Sequence, residues 1–283
     1  MTAAPGYAPR RTLPLRVEIV RQFKRRRTLV MFGLLLALPW ILVIAFQFGP
    51  QSSSGQGQTS LRMSDLATAS GLNFAAFALS VSASFLLVVA VALFCGDTVA
   101  SEANWSSLRY LLAAPVPRDR LLRQKLIVAL GFSASAVICL PVMALLAGTV
   151  AFGWNDIQVP GTGEVMPAVD VLPRFGIVIA YALVSQLVVA ALAFLVSTMT
   201  DSPLGAVGGA VGLWIVCNIL QAVEALGVLR EFLPTFWNNA WTDALVPELD
   251  WSGMAKGASV SITYAAILIA VAFRRFRRKD VVS

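Results

Sequence analysis

Six long apolar runs without a single charge constrain this 283-residue chain more than any other feature. A helix needs about 20 apolar residues to cross about 30 Å of hydrocarbon. The first run is Leu29 to Phe48, directly after Lys24-Arg25-Arg26-Arg27. The second lies within the 31 uncharged residues between Asp65 and Asp97, with its core at Leu72 to Phe94. The third lies between Lys125 and Asp156, the fourth between Arg174 and Asp201, and the fifth between Asp201 and Glu224. The sixth, Gly257 to Phe273, is the shortest at 17 residues and stops at Arg274-Arg275-Phe276-Arg277-Arg278-Lys279. Only 13% of the chain is charged and 58% is hydrophobic, against about 25% charged in a soluble domain. A cytoplasmic globular enzyme, a secreted disulfide scaffold and a disordered chain are therefore excluded. The runs are continuous rather than alternating, so barrel strands are excluded too. The expected fold is an all-α integral membrane protein with six transmembrane helices.

The distribution of basic residues gives the expected orientation. Eight precede the first span, five lie between the second and third, and five follow the sixth. The three opposite loops share four: Arg62, Arg174, Arg230 and Lys256. Cytoplasmic loops carry the excess of Lys and Arg, so both termini are expected in the cytoplasm. The basic residues cluster at span ends instead of interleaving with aromatics on one face, which argues against nucleic acid as a partner. The first span is too long for the apolar core of a signal peptide and reads as an uncleaved anchor. The chain divides into a cytoplasmic N-terminal segment at 1–28, a six-helix domain at 29–273 and a basic tail at 274–283. Abundant Ala, Val, Leu and Arg fit a GC-rich bacterial source, hence a bacterial inner membrane.

The inventory narrows the chemistry. There is no histidine, which removes the common zinc sites and His-dependent triads. Cys95, Cys139 and Cys217 all lie inside apolar runs and read as small buried thiols. No G-x-x-x-x-G-K-[ST] phosphate loop occurs, so the chain is expected to bind no cofactor and hydrolyse no ATP. An intramembrane hydrolase would need a catalytic pair at membrane depth. Asp97 and Asp201 instead sit at span ends.

Two segments outside the spans are amphipathic. After Pro14, Leu15, Ile19 and Phe23 recur every four residues with Val20 beside them, among Arg16, Arg21, Lys24 and Arg25. This predicts a short interfacial helix with its apolar side in the headgroup zone. Between the second and third spans, Ser101 is expected to cap a second helix that Pro115 stops. Trp105, Leu108, Leu111 and Leu112 follow at helical spacing. Such a face has to be buried, in headgroups or in a partner protein.

The arrangement Glu102-x-x-Trp105-Ser106-Ser107-Leu108-x-x-Leu111-Leu112-x-x-Pro115-x-x-Arg118, followed by Lys125, resembles the type-2 ABC permease family. Ser106 and Ser107 stand where that family usually has Gly-Thr. The resemblance implies an exporter subunit that forms a homo- or heterodimer with a second permease and passes a hydrophobic or amphipathic substrate. It implies a coupling helix docked on a separate ABC ATPase subunit, which would hold ATP and Mg. Glu102, Trp105, Leu108 and Arg109 are assigned to that docking, with Arg118 at its edge. The N-terminal helix resembles the family's connecting helix, and short re-entrant helices are implied before the last span. An import permease and a membrane scaffold without transport activity are the alternatives.

Inside the membrane, Gly205 with Gly209 and Gly208 with Gly212 make two overlapping G-x-x-x-G pairs, a close-packing signal. Further along the same span Asn218, Gln221 and Glu224 recur every three residues and predict one polar stripe. Polar groups against lipid are costly, so the stripe reads either as a transport path or gate, or as interhelix hydrogen bonding. Thr68, Asn73, Ser80, Ser82 and Ser84 of the second span are weaker candidates. The loop from Gly227 to Lys256 carries Phe232, Phe236, Trp237, Trp241 and Trp251 and predicts short helices at the outer interface. The loop from Trp154 to Pro173 reads as a plain surface loop.

Overall fold

The computed structural model describes residues 15–48, 66–104, 118–158, 165–246 and 248–278. Nine α-helices account for most of them: α1 Leu15–Phe23, α2 Arg26–Phe48, α3 Gly71–Ala83, α4 Leu86–Asn104, α5 Arg118–Phe152, α6 Ala168–Ser185, α7 Leu187–Met199, α8 Pro203–Ala222 and α9 Ser252–Arg278. The protein is an all-α membrane protein. Five stretches are long and apolar enough to cross a bilayer; a sixth is the pair α3–α4, bent by 54°, if it makes one crossing.

The helices begin where local chemistry dictates. Ser70 and Ser202 have extended backbones, and their hydroxyls accept from the N–H groups of Asn73 and Gly205, satisfying donors that the helix itself leaves open. Pro203 supplies the first residue of α8, where its missing N–H costs nothing. The Asp250 carboxylate accepts from the N–H of Ser252 at 2.8 Å and starts α9. Two predicted spans are not continuous: α3 and α4 break at Ser84–Phe85, and α6 and α7 at Gln186.

The core forms around α4 and α7, which pack against each other and collect α5, α8 and α9 around them. Phe94 stacks on Phe32 of α2 and lies near Phe132 of α5. By contrast α2 and α8 bury only 17% and α9 only 22% of their most apolar windows, against 61% for α6–α7, so these three present most of their apolar surface outward, to lipid or to a partner. At the far end of the bundle α3 and α5 touch backbone to backbone. A Cβ on Gly71 would lie 2.7 Å from the Thr149 nitrogen, and one on Gly148 would lie 2.8 Å from the Gly71 oxygen. Small residues at a crossing permit this approach.

The Trp154 to Pro173 segment is more than a plain surface loop. Ile157–Gln158 and Val165–Met166 pair as a two-stranded antiparallel ribbon. Asn73 secures it: its amide donates to the Gln158 carbonyl at 2.7 Å and accepts from the Gln158 N–H at 3.0 Å. Asn73 is thus a loop anchor, not an open polar group.

Candidate functional site

The chemistry concentrates at the end of the bundle where α1, the end of α4 and the start of α5 meet. Four cations (Arg21, Arg25, Arg27 and Lys125) interlock there with three carboxylates (Glu18, Asp97 and Glu102). Lys125 Nζ donates to Glu102 Oε1 at 2.6 Å, to Glu18 Oε1 at 3.3 Å and to the Thr98 carbonyl at 3.3 Å. Arg21 pairs with Glu102 from α1. Arg25, in the corner between α1 and α2, pairs with Asp97 and donates to Ser101 Oγ at 3.2 Å. Arg27 reaches the other Asp97 oxygen at 3.0 Å. Asp97, Glu102 and Lys125 are only 5%, 1% and 3% exposed. Buried charges persist only when paired and hydrogen-bonded. These are.

The cluster explains how α1 sits. Its polar side faces protein: Gln22 is buried and donates to the Phe94 carbonyl at 3.3 Å. Its apolar residues Leu15, Ile19, Val20 and Phe23 are exposed. The four-residue apolar periodicity thus marks the side of α1 that faces away from the bundle.

Two expectations about the coupling segment need correcting. Ser101 does not cap a new helix. It lies within α4, which continues to Asn104, and its hydroxyl donates to the Asp97 carbonyl one turn back. Glu102, assigned above to docking, is buried against Lys125 and Arg21 and presents no surface to a partner. Trp105, Leu108 and Arg109 lie outside the described residues; Arg118 opens α5, and its side chain also lies outside them. The helix ends that bracket 105–117 are nevertheless fixed, because Glu102 and Lys125 join one to the other.

The expected polar stripe divides. Asn218 and Gln221 are half-buried on α8, and the Asn218 amide donates to the Trp214 carbonyl at 3.0 Å. Extended backbone at Val223 ends the helix, so Glu224 leaves the 100° stepping and stands exposed in a 3₁₀ segment, Glu224–Phe232. A continuous three-residue stripe does not form. The glycines also divide. A Cβ on Gly209 would touch Val196 of α7 at 3.4 Å, and one on Gly205 would meet only the Ser202–Thr200 cap. Gly208 and Gly212 have nothing within 4 Å among the described residues. Ala206, Ala210 and Trp214 make the buried face of α8 instead.

Before α9, 3₁₀ turns form at Glu224–Phe232, kinked at Gly227, and at Ala240–Ala244. The chain on either side of Ala240–Ala244 is tied to α6: the Tyr181 hydroxyl donates to the Trp237 carbonyl at 2.6 Å, and Arg174 donates to the Val246 carbonyl. Burial, with Asp250 adding to it, holds the Asp243 carboxyl above its usual range.

Comparison with known families adds one decisive observation. Residues 40–282 match a family described as a protein of unknown function, DUF2705. The chain belongs to the DUF2705 family. No curated protein matches it. The region shared with DUF2705 contains Asp97, Glu102 and Lys125 but begins after α1, so two of the three carboxylates and the lysine lie inside the family region, and Glu18 and the three arginines lie outside it.

Six residues of this DUF2705 chain's cluster were not singled out as site residues from the sequence: Glu18, Arg21, Arg25, Arg27, Asp97 and Lys125. A signal existed. Asp97, Glu102 and Lys125 flank apolar runs from which charge is otherwise missing, and Glu18 is the one acid in a basic helix.

Proposed function

We propose that this protein is the permease subunit of an ATP-binding-cassette exporter in a bacterial inner membrane. In this reading it has six crossings and cytoplasmic termini, works as a dimer of permeases, and couples to a separate ATPase subunit that holds ATP and Mg. The observation that carries the reading is the ion-pair cluster joining the two helix ends that bracket residues 105–117. A segment that receives a push from a soluble partner transmits it only if its supports are rigid. The Glu102–Lys125 pair and the α1 latch supply that rigidity between α4 and α5. The amphipathic sequence Trp105-Ser106-Ser107-Leu108-Arg109 then presents the docking residues, while Glu102 positions them from within. The open Gly208–Gly212 face of α8 is available to a second permease, and the half-buried Asn218 and Gln221 are the pathway candidates left on that helix.

Purification of the full chain from its native membrane, followed by sequencing of stoichiometric partners, tests the proposal. A partner bearing a phosphate-binding loop, whose ATP hydrolysis changes when the chain is present, is the expected result. A stable complex without any nucleotide-binding partner contradicts it.

A further inference from the structure

The basic end of α9 is more than a stop for the last crossing. Residues 271, 274, 275 and 278 fall within one 100° arc of the helix, opposite the buried Ala272 and Phe276. Val271, Arg274, Arg275 and Arg278 thereby line a surface pocket of about 470 Å³, closed on its other side by Thr198 and Met199 at the end of α7. The fourth arginine described here, Arg277, points elsewhere and binds Asp119 of α5 at 2.8 Å. Arg274, Arg275 and Arg278 make no ion pair among the described residues. Above them on the same arc, Tyr264, Ile267 and Val271 are exposed and form an apolar track along the span.

A polar mouth ringed by three guanidinium groups, continued by an exposed apolar track at a bilayer boundary, has the chemistry of an anionic amphiphile. Guanidinium groups match phosphate oxygens in geometry as well as charge. A free phosphate would use the mouth and leave the track unused. We propose that this pocket binds the headgroup of an acidic phospholipid, with its acyl chains along Tyr264, Ile267 and Val271. The site is separate from the α1–α4–α5 cluster and does not depend on the transport reading.

Native mass spectrometry of the full-length protein, loaded with equal amounts of phosphatidylglycerol and phosphatidylcholine, tests it. The wild type should retain phosphatidylglycerol preferentially, and Arg275→Gln or Arg278→Gln should each weaken that preference by about fivefold, as one basic group at a membrane surface provides. Arg277→Gln removes the same charge outside the pocket and should leave the preference unchanged. Equal retention of both lipids by the wild type overturns the proposal, as does an equal loss in Arg277→Gln, which would reduce the effect to general tail charge. Displacement of the lipid by millimolar inorganic phosphate would assign the mouth to a free anion. Loss of a soluble protein partner in Arg275→Gln, with lipid preference intact, would assign it to protein docking.

Discussion

Lys125 of α5 bonds to Glu102 of α4 at 2.6 Å, and so joins the two helices whose ends bracket residues 105–117. Both side chains are buried, and α1 adds Arg21 to one of them and Glu18 to the other. Neither charge has water to fall back on.

Removing one charge should therefore cost more than removing both. We predict that Lys125→Met destabilises the protein by about 3–5 kcal/mol, because Glu102 would be left buried with a weaker set of partners. The double variant Glu102→Met/Lys125→Met should recover most of that loss. Thermal unfolding of the purified full chain in detergent measures both. Additive losses in the double variant would mean that the two charges act independently.

Asp97 holds the corner between α1 and α2 through Arg25 and Arg27. Asp97→Asn should release α1 while leaving the spans inserted. Trypsin cleavage among residues 21–27 should become several-fold faster, with the rest of the protein equally resistant. Unchanged cleavage would show that Gln22 and Glu18 suffice to hold the helix.

The membrane-facing parts of this account were the most legible in the sequence. Run length and flanking charge predict α2 and α8 within about three residues, because the bilayer imposes a length that soluble folds do not; α5 starts at Arg118, ahead of Lys125, and α9 runs past the Gly257 to Phe273 run at both ends, because helices continue beyond the apolar stretch that the sequence marks. The breaks at Ser84–Phe85 and Gln186 were not legible. No proline or glycine marks either one, and what compensates is a tertiary contact: the Gln186 amide donates to the Ala83 carbonyl at 3.4 Å. Glu102 was misread for a related reason. An acid beside an exposed-looking Trp105 reads as surface, and only the return of α1 across the bundle turns it inward. Glu224 shows the limit of periodicity. The three-residue spacing persists in the sequence after Val223 has ended the helix.

The glycines of α8 should separate folding from association. Gly208→Leu and Gly212→Leu face open space, so the monomer's stability should change by no more than about 0.5 kcal/mol while formation of the proposed permease dimer falls. Gly209→Leu should instead press on Val196 and cost about 1–3 kcal/mol of monomer stability. Crosslinking in membranes together with unfolding in detergent distinguishes these effects. Intact dimers in both Gly208→Leu and Gly212→Leu would place the interface elsewhere.

At the far end, a Cβ on Gly257 would overlap the Tyr181 hydroxyl and lie 2.6 Å from Trp237 Cβ. Gly257→Ala should cost about 1–3 kcal/mol. Adding Tyr181→Phe should recover part of it by removing the overlapping oxygen, although the bond to the Trp237 carbonyl is then lost. No recovery would mean that Trp237 is the limiting contact.

The proposed coupling segment offers the most direct test. A photocrosslinking amino acid at position 105 of the full chain, activated in living cells, reports what that position touches. The expected result is a specific adduct with a polypeptide carrying a phosphate-binding loop, diminished when Lys125→Met loosens the supporting helices. Adducts with phospholipid alone, in both backgrounds, would contradict it.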